Sequence, residues 1–425
     1  MKLSVKKSTL TGRVSIPGSK SHTIRAVALG ALADGDSLIW APLDSADTLA
    51  AVRCYQQLGA QIDTHNPQCW KVAGTGARLQ APQTIIDVAN SGTTLRIGMG
   101  SAALLTQGQA IMTGDDQIRA RPVGPLLNSL NDLGADCTSH FANGKAPITI
   151  RGTLIGGETS LEAVSSQYLT SLLINTPLAT HDTVIHVTHL NEKPYVEMTL
   201  RYLDEQGIKY DNQDFKRFVI KGGQHYRAFQ KRIPADFSSA TFFFCAGAIL
   251  EGELILEGLD FTDTQGDKEI VNILGRMGAD ILIENHQVRV RSGRLRGMEV
   301  DMNAIPDALP ALAVVACFAE GPSRLYNVPQ ARLKETDRIA VMTAELSKMG
   351  ADIQEMPDGM IIKPARLKPA NLDGRHDHRV VMALSLAALA TEGATTIDTA
   401  EAVKVTFPEY VKLMQSVGGQ LELFD

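Results

Sequence analysis

A short element ending in glycine recurs six times, and its spacing constrains the fold more than any other feature of the chain. The glycine stands at Gly59, Gly134, Gly207, Gly278, Gly350 and Gly418, at intervals of 75, 73, 71, 72 and 68 residues. Each copy follows a segment with apolar residues at helical spacing. Ala46, Leu49, Val52, Tyr55 and Leu58 form one stripe in the first copy, with Arg53, Gln56 and Gln57 outside it. Leu126, Leu127, Leu130 and Leu133 do the same in the second copy, and Ile270, Ile273, Leu274 and Met277 in the fourth. A glycine just past the last apolar position marks a helix C-terminus. Each copy therefore predicts an amphipathic helix closed by glycine.

Upstream of each such helix lies a second, more apolar one. The six begin near Lys20, Ser91, Ser165, Ser238, Asp307 and Asp377. Apolar residues surround them on nearly all sides, which predicts burial in a domain interior. Each ends at a turn such as ADGD, THDT or LEGE, followed by a short strand such as SLIWAPL or ELILEGL. The repeating unit reads as β-α-β-α-β-β over about 70 residues. Solenoid repeats run about 20–50 residues and lack two helices plus a sheet. At roughly 150 residues per domain, a 425-residue chain of six such units suits two globular domains of three units each.

Composition narrows the function. The net charge of −6 and an aromatic content of 5% argue against a nucleic-acid surface. The five cysteines are scattered, with no disulfide framework or zinc spacing. No apolar run reaches membrane-spanning length and the N-terminus has no signal-peptide core, so a reducing, cytoplasmic setting is expected.

Polar residues crowd the starts of the six apolar helices: Lys20, Ser21, Arg25; Asn90, Ser91, Thr93, Arg96; Ser165, Ser166, Gln167; Asp236, Ser238; Asp307; Asp377, His378, Arg379. Helix capping explains about half of them, including Ser91, Ser238 and Asp377. It does not explain Lys20, Arg25, Arg96 and Arg379, because cations in a first turn oppose the helix dipole unless they meet anions. Helix N-termini also attract anions themselves. Together they predict a site for a substrate with more than one negative group. Arg119 and Arg121 precede an amphipathic helix, with Pro122 fixing the backbone. Arg332, Lys334, Glu335, Asp337 and Arg338 open another; taken alone they read equally well as a self-neutralising solvated face. The PGSKS segment is no P-loop, because Ser19 separates Gly18 from Lys20.

With the segments PGSKSHTIRA (17–26), NSGTTLR (90–96), RARPV (119–123), SSQYLTSLL (165–173), EKPYVEMTL (192–200), IPDALPALA (305–313), RLKETDRI (332–339), HDHRVVMALSLAALA (376–390) and TFPEYV (406–411), the chain resembles the enolpyruvyl transferase family over almost its whole length. The resemblance implies an α/β (α+β) fold of two pseudo-three-fold domains built from six βαβαββ units, an inside-out α/β barrel arrangement with the site in the cleft between them. Units one to three would form a lower domain, residues 19–235. Units four to six, joined by the N-terminal strand, would form an upper domain of residues 1–18 plus 236–425.

The reaction implied is transfer of an enolpyruvyl group from phosphoenolpyruvate to the 5-hydroxyl of shikimate 3-phosphate. Carbon 3 of phosphoenolpyruvate is protonated while the hydroxyl attacks carbon 2, and the tetrahedral adduct then loses a proton and phosphate. Acid–base groups of both senses are needed, with cations for two phosphates and a carboxylate. By motif match, Lys20, Asp307 and Glu335 are the catalytic candidates: Asp307 as base for the 5-hydroxyl, Glu335 for proton traffic at carbon 3. Lys20, Ser21, Arg25, Ser165, Ser166, Gln167, Tyr195, Asp307, Gln330 and Lys334 would hold shikimate 3-phosphate. Lys20, Asn90, Gly92, Arg121, Gln167, Arg338, Arg379 and Lys404 would surround phosphoenolpyruvate. Glyphosate, which competes with phosphoenolpyruvate, would meet the small Gly92. No metal or organic cofactor, nucleic acid or membrane is implied, and a monomer is expected.

The chain departs from the family pattern in places. Val405 stands where lysine often precedes TFP, with Lys404 one position earlier; read as a strand, that slip reverses the side chain's face and puts its reach in question. Glu192 stands where serine or arginine is common before the KPY-like motif, Gln330 where asparagine is common, and Ile97 where proline is frequent. The nearest rival is the sister transferase acting on UDP-N-acetylglucosamine, whose loop Cys or Asp finds a counterpart in Asp116. KSxxxR, SSQ and KETDR favour shikimate 3-phosphate instead. RNA 3′-phosphate cyclases share the unit but depend on a histidine nucleophile. A non-catalytic, substrate-binding paralogue would be expected to lose Asp307 or Glu335.

Overall fold

The computed structural model describes all 425 residues, Met1–Asp425. The chain divides into two compact units: Gly18–Ile233, and Met1–Pro17 together with Pro234–Asp425. Each has its own apolar core.

Six four-stranded sheets carry the repeat, three in each unit, and no sheet closes on itself. In the third copy Gly157–Ala163 pairs parallel with Thr183–Leu190, which pairs antiparallel with Arg217–Ile220, itself antiparallel to Tyr210–Gln213. Parallel neighbours need a crossover, and the apolar helix Ser166–Asn175 supplies it. The amphipathic helix Lys193–Glu205 then leads to the closing hairpin. The strand and helix order expected from sequence is therefore present. Three sheets complete themselves with distant strands. Gln230–Arg232 joins Asp36–Trp40, Leu10–Ser15 joins Gly252–Glu257, and Lys2–Lys6 lies between Ala394–Asp398 and Gln420–Phe424.

The apolar helices are the interior. Every residue of Gly92–Ala102 and of His378–Leu389 is buried, as is every residue from His22 to Leu32 in Lys20–Leu32. Gly92–Ala102 packs on Ser166–Asn175 so closely that a side-chain carbon on Gly100 would stand 2.5 Å from Asn175 Nδ2. The polar groups at that contact pair off: Ser101 Oγ donates to Asn175 Oδ1 (2.9 Å) and Ser171 Oγ to the Arg96 carbonyl (2.6 Å). Such pairing is required where water is excluded.

The amphipathic helices cover the apolar cores with one face. In Glu269–Met277, Ile270, Ile273, Leu274 and Met277 are all buried, each contributing about 1.5–3 kcal/mol relative to exposure. All six repeat glycines have φ between 71° and 114°, the left-handed stop the sequence called for. Two expectations need correction. In Ala46–Gln57 the expected stripe holds at Val52, Tyr55 and the following Leu58, all buried, but Ala46 is exposed and Leu49 half-buried, while Asp47, Thr48 and Ala51 are buried. At that end of the helix, next to the Ser45 cap, Asp47 takes the buried place that Ala46 was expected to fill. Asp236, not Ser238, caps Phe237–Ile249, accepting from Ser239 N. The helix simply starts one residue before Ser238.

Candidate functional site

In the unit Gly18–Ile233 the candidate residues sit at three helix starts. Lys20 is the first residue of Lys20–Leu32, and its Nζ lies 3.1 Å from Asp47 Oδ2. Asp47 is buried at the start of Ala46–Gln57, where a carboxylate suits the helix dipole. The Ser21 carbonyl accepts from Arg25 Nη1 at 3.0 Å. Arg25 is 2% exposed; its Nε donates to Thr199 Oγ1 (2.9 Å), and its Nη2 to the Tyr195 carbonyl (3.0 Å) and Thr170 Oγ1 (3.3 Å). None of these partners is a carboxylate. Burial pulls the Arg25 pKa down to about 10, with Tyr202 and Tyr195 opposing it, so the group stays charged at neutral pH. Arg25 and Arg96 both lie beyond the first turn of their helices, so the dipole argument made for them does not apply. Lys20 and Arg379 keep it.

At the second start, Asn90 Oδ1 accepts from Arg121 Nη2 (3.4 Å), while Asn90 Nδ2 donates to Asp115 Oδ2 (2.7 Å) and Gln117 Oε1 (2.5 Å). A side-chain carbon on Gly92 would stand 2.8 Å from Arg121 Nη1 and press on Arg96 Nη1 as well. Glycine is what lets two guanidinium groups lie over this turn. Arg119 belongs to a short helix, Asp116–Ala120, additional to those the periodicity predicts, and Arg121 is its C-cap. Its signal was Asp115, whose side chain accepts from Ile118 N at 2.9 Å.

At the third start, Ser165 caps Ser166–Asn175 and Gln167 Nε2 donates to Thr93 Oγ1 at 3.2 Å. Gln167 Oε1 is buried without a partner. Ser166 gives both its N–H (3.3 Å) and its hydroxyl (2.7 Å) to Glu192 Oε2. Tyr195 is half-buried in the first turn of Lys193–Glu205.

The unit that holds Pro234–Asp425 gathers the acids. Arg338, 1% exposed, donates from Nε to Asp377 Oδ2 (2.8 Å), from Nη1 to Asp307 Oδ1 (2.7 Å), and from Nη2 to Glu335 Oε2 (2.5 Å) and Asp377 Oδ1 (3.2 Å). Arg379 Nη2 meets the other Asp307 oxygen at 3.1 Å. Burial pushes the Asp307 carboxyl up, but the cations Arg379, Lys334 and Arg338 outweigh it and hold the group far below the usual carboxylate range. Arg338 is shifted the opposite way: burial alone would lower it, and Asp377, Glu335 and Asp307 raise it well above its ordinary value. Gln330 is buried, donating from Nε2 to the Asn303 carbonyl (3.3 Å), with its Oε1 unpartnered. A carbonyl can only accept, so that bond fixes which way the amide points.

The RLKETDRI segment splits by role. Arg332 binds Asp337 (2.6 Å), Glu355 (2.8 Å) and the Met356 and Pro357 carbonyls, which is a structural anchor. Glu335 and Arg338 join Asp307. Asp377, read as a cap, is both a cap and an Arg338 ligand. Lys404 is exposed, and it lies in the 3-10 helix Ala400–Val405, not on a strand. The strand-face argument therefore fails; on a helix of three residues per turn, a one-residue offset turns the side chain by about 120°.

The EPSP synthase (3-phosphoshikimate 1-carboxyvinyltransferase) family matches residues 5–414. The chain belongs to the EPSP synthase family. It is 53% identical over 421 residues to a 3-phosphoshikimate 1-carboxyvinyltransferase from Acetivibrio thermocellus, covering 99% of each chain. It is 52% identical over 423 residues to one from Ruminiclostridium cellulolyticum, covering 100% of each. A solved EPSP synthase structure from Acinetobacter baumannii matches with a TM-score of 0.84 at 27% identity, covering 100% of both chains. EPSP synthase membership supports the shikimate 3-phosphate reading of the motifs over the sugar-nucleotide one. No helix of the chain is long and apolar enough to cross a membrane.

Proposed function

We propose that the chain transfers the enolpyruvyl group of phosphoenolpyruvate to the 5-hydroxyl of shikimate 3-phosphate, releasing phosphate, as a step of the shikimate pathway towards chorismate. The observation that carries this reading is the Asp307 carboxylate, shared between Arg338 and Arg379, with Glu335 on the same Arg338 guanidinium. The addition–elimination needs one carboxylate to take a proton from the hydroxyl and another group to move a proton at carbon 3. Asp307 and Glu335 take those roles, with Lys20 as a third proton carrier.

The cations that hold Asp307 down also control its basicity. An anion binding to Arg379 or Lys334 weakens their pull on the carboxyl and makes it a better base. Substrate arrival thus primes the group that activates the hydroxyl. Arg338 has four contacts to carboxylates from its five N–H donors, so it mainly fixes the acids and keeps one donor for phosphoenolpyruvate. Arg379 and Arg121, with Asn90, Gly92, Gln167 and Lys20, take the rest of phosphoenolpyruvate. Arginine suits this because its planar fork pairs with carboxylate and phosphate. Lys404 is a weaker member of the set, being exposed.

Lys20, Ser21, Arg25, Ser165, Ser166, Gln167, Tyr195, Gln330 and Lys334 hold shikimate 3-phosphate. The buried oxygens of Gln167 and Gln330 are suited to accept bonds from sugar-like hydroxyls. The reaction forms a C–O bond to the acceptor, breaks the C–O bond to phosphate and moves protons, with no net redox change, so it calls for no redox cofactor. The same reading takes the enzyme as working without metal or nucleic acid, as a cytoplasmic monomer. Phosphate release from phosphoenolpyruvate, measured with shikimate 3-phosphate and with UDP-N-acetylglucosamine as acceptors, tests the reading. Release is expected only with the first; release only with the sugar nucleotide overturns it.

A further inference from the structure

We propose that Glu192 is a specificity-determining residue for the phosphorylated acceptor: its carboxylate competes with the acceptor's phosphate for Ser166. This rests on the assignment of Ser165 and Ser166 to shikimate 3-phosphate. Glu192 is 2% exposed, and one oxygen takes both donors of Ser166 at the start of Ser166–Asn175. Backbone N–H groups at a helix start, with the dipole behind them, are what a phosphate would use. A side chain of this protein occupies them instead.

The carboxylate is aimed there by its own backbone. Asn191 N donates to the Ala163 carbonyl and Asn191 Nδ2 to the Val164 carbonyl, both at 3.2 Å, which fastens residue 191 beside the segment leading into Ser165. Glu192 itself has φ +58°, an uncommon conformation for a residue with a side chain, and is the N-cap of Lys193–Glu205. Its carbonyl accepts from Tyr195 N at 3.0 Å, and the Tyr195 carbonyl in turn accepts from Arg25. A left-handed residue held on both sides has little freedom to point elsewhere.

Two anions cannot share one pair of donors. For its phosphate to take Ser166, the acceptor must push the Glu192 carboxylate aside or sit against a like charge. Glu192 thus limits how tightly a phosphorylated ligand is held. The product keeps the acceptor's phosphate, so the same competition helps it leave.

The test is calorimetric titration of the full chain with shikimate 3-phosphate and with unphosphorylated shikimate. Glu192→Gln keeps an accepting oxygen for Ser166 and removes the charge. It should bind shikimate 3-phosphate about tenfold more tightly or better and shikimate no differently from wild type. Glu192→Asn tolerates the left-handed backbone and withdraws from Ser166; it should shift affinity the same way, and it decides the matter if Glu192→Gln does not fold. Unchanged or weaker shikimate 3-phosphate binding in the folded variant overturns the proposal, as does an equal gain for shikimate. Ser166→Ala separates the two levels. If it leaves shikimate 3-phosphate affinity intact, the assignment of Ser166 falls and the proposal with it. If it weakens binding while the Glu192 variants change nothing, only the proposal falls.

Discussion

Lys20 and Asp47 meet at 3.1 Å, ammonium to carboxylate, from the opening turns of two successive helices. The carboxylate offsets the dipole that opposes a cation at the first position of Lys20–Leu32, and it holds Lys20 in one place. Asp47→Asn keeps the shape and removes the charge. It should lower kcat/KM by up to about a hundredfold through misplacement of the ammonium, with the melting temperature changed far less than activity. A double-mutant cycle with Lys20→Met checks the coupling: the double variant should be no worse than Lys20→Met alone, and additive losses would show that the two act separately.

Arg338 holds three carboxylates at a buried position. Lysine keeps the charge but lacks the fork that reaches Asp307, Glu335 and Asp377 together. Arg338→Lys is expected to cost about 3–5 kcal/mol, because acids lose their partner inside the protein. Urea unfolding measures it; a wild-type midpoint would mean that the carboxylates find other cations.

Asp307 makes stability depend on pH in a defined direction. Its carboxyl lies below its unfolded value, since Arg379, Lys334 and Arg338 outweigh burial. Such a group contributes stability in full above its unfolded pKa, about 3.9, and loses that contribution as the pH falls towards the folded value. The stability gap between wild type and Asp307→Asn should therefore be widest near neutrality and narrow below about pH 4. Urea midpoints of both proteins at pH 7 and in the acid range read this directly, and a gap that stays constant would contradict it.

Gly92 decides where two cations rest. A methyl group there would stand 2.8 Å from Arg121 Nη1 and closer still to Arg96 Nη1. Both contacts are the ends of flexible side chains, so Gly92→Ala should fold and displace the guanidinium groups. The expected result is a KM for phosphoenolpyruvate raised about tenfold, a raised inhibition constant for glyphosate, and little change in shikimate 3-phosphate affinity. An unchanged glyphosate constant would remove the steric argument.

The fold was readable because its constraint is periodic. Six glycines at near-equal spacing each need a left-handed backbone, and all six have it. The fully apolar helices were readable for the same reason, since a helix with no polar face can only be interior. The pairing of side chains was less legible. Arg25 and Arg96 are not first-turn cations even though the helices start close to where the sequence puts them, at Lys20 and Gly92, because five and four residues carry the chain past one turn. Asp47 carried no motif signal, because its role comes from a helix folded beside Lys20. Glu192 showed up as a departure from a pattern, but its meaning depended on a contact with Ser166, 26 residues away. Lys404 was misread because a short 3-10 helix leaves no periodicity to detect.

The strand Lys2–Lys6 pairs with Ala394–Asp398 on one side and Gln420–Phe424 on the other. It is made long before its partners, which lie nearly the whole length of these two units further along the chain. The whole segment Gly18–Ile233 can bury its core before the other unit has more than two strands to work with. Until Ala394–Asp398 is made, Lys2–Lys6 keeps both hydrogen-bonding edges open, the condition in which a strand is most exposed to pairing with another chain. Its alternation of Lys2, Ser4 and Lys6 with the buried Leu3 and Val5 leaves two charges and a hydroxyl on one face during that wait. The residues that face solvent in the finished sheet thus also guard the nascent one.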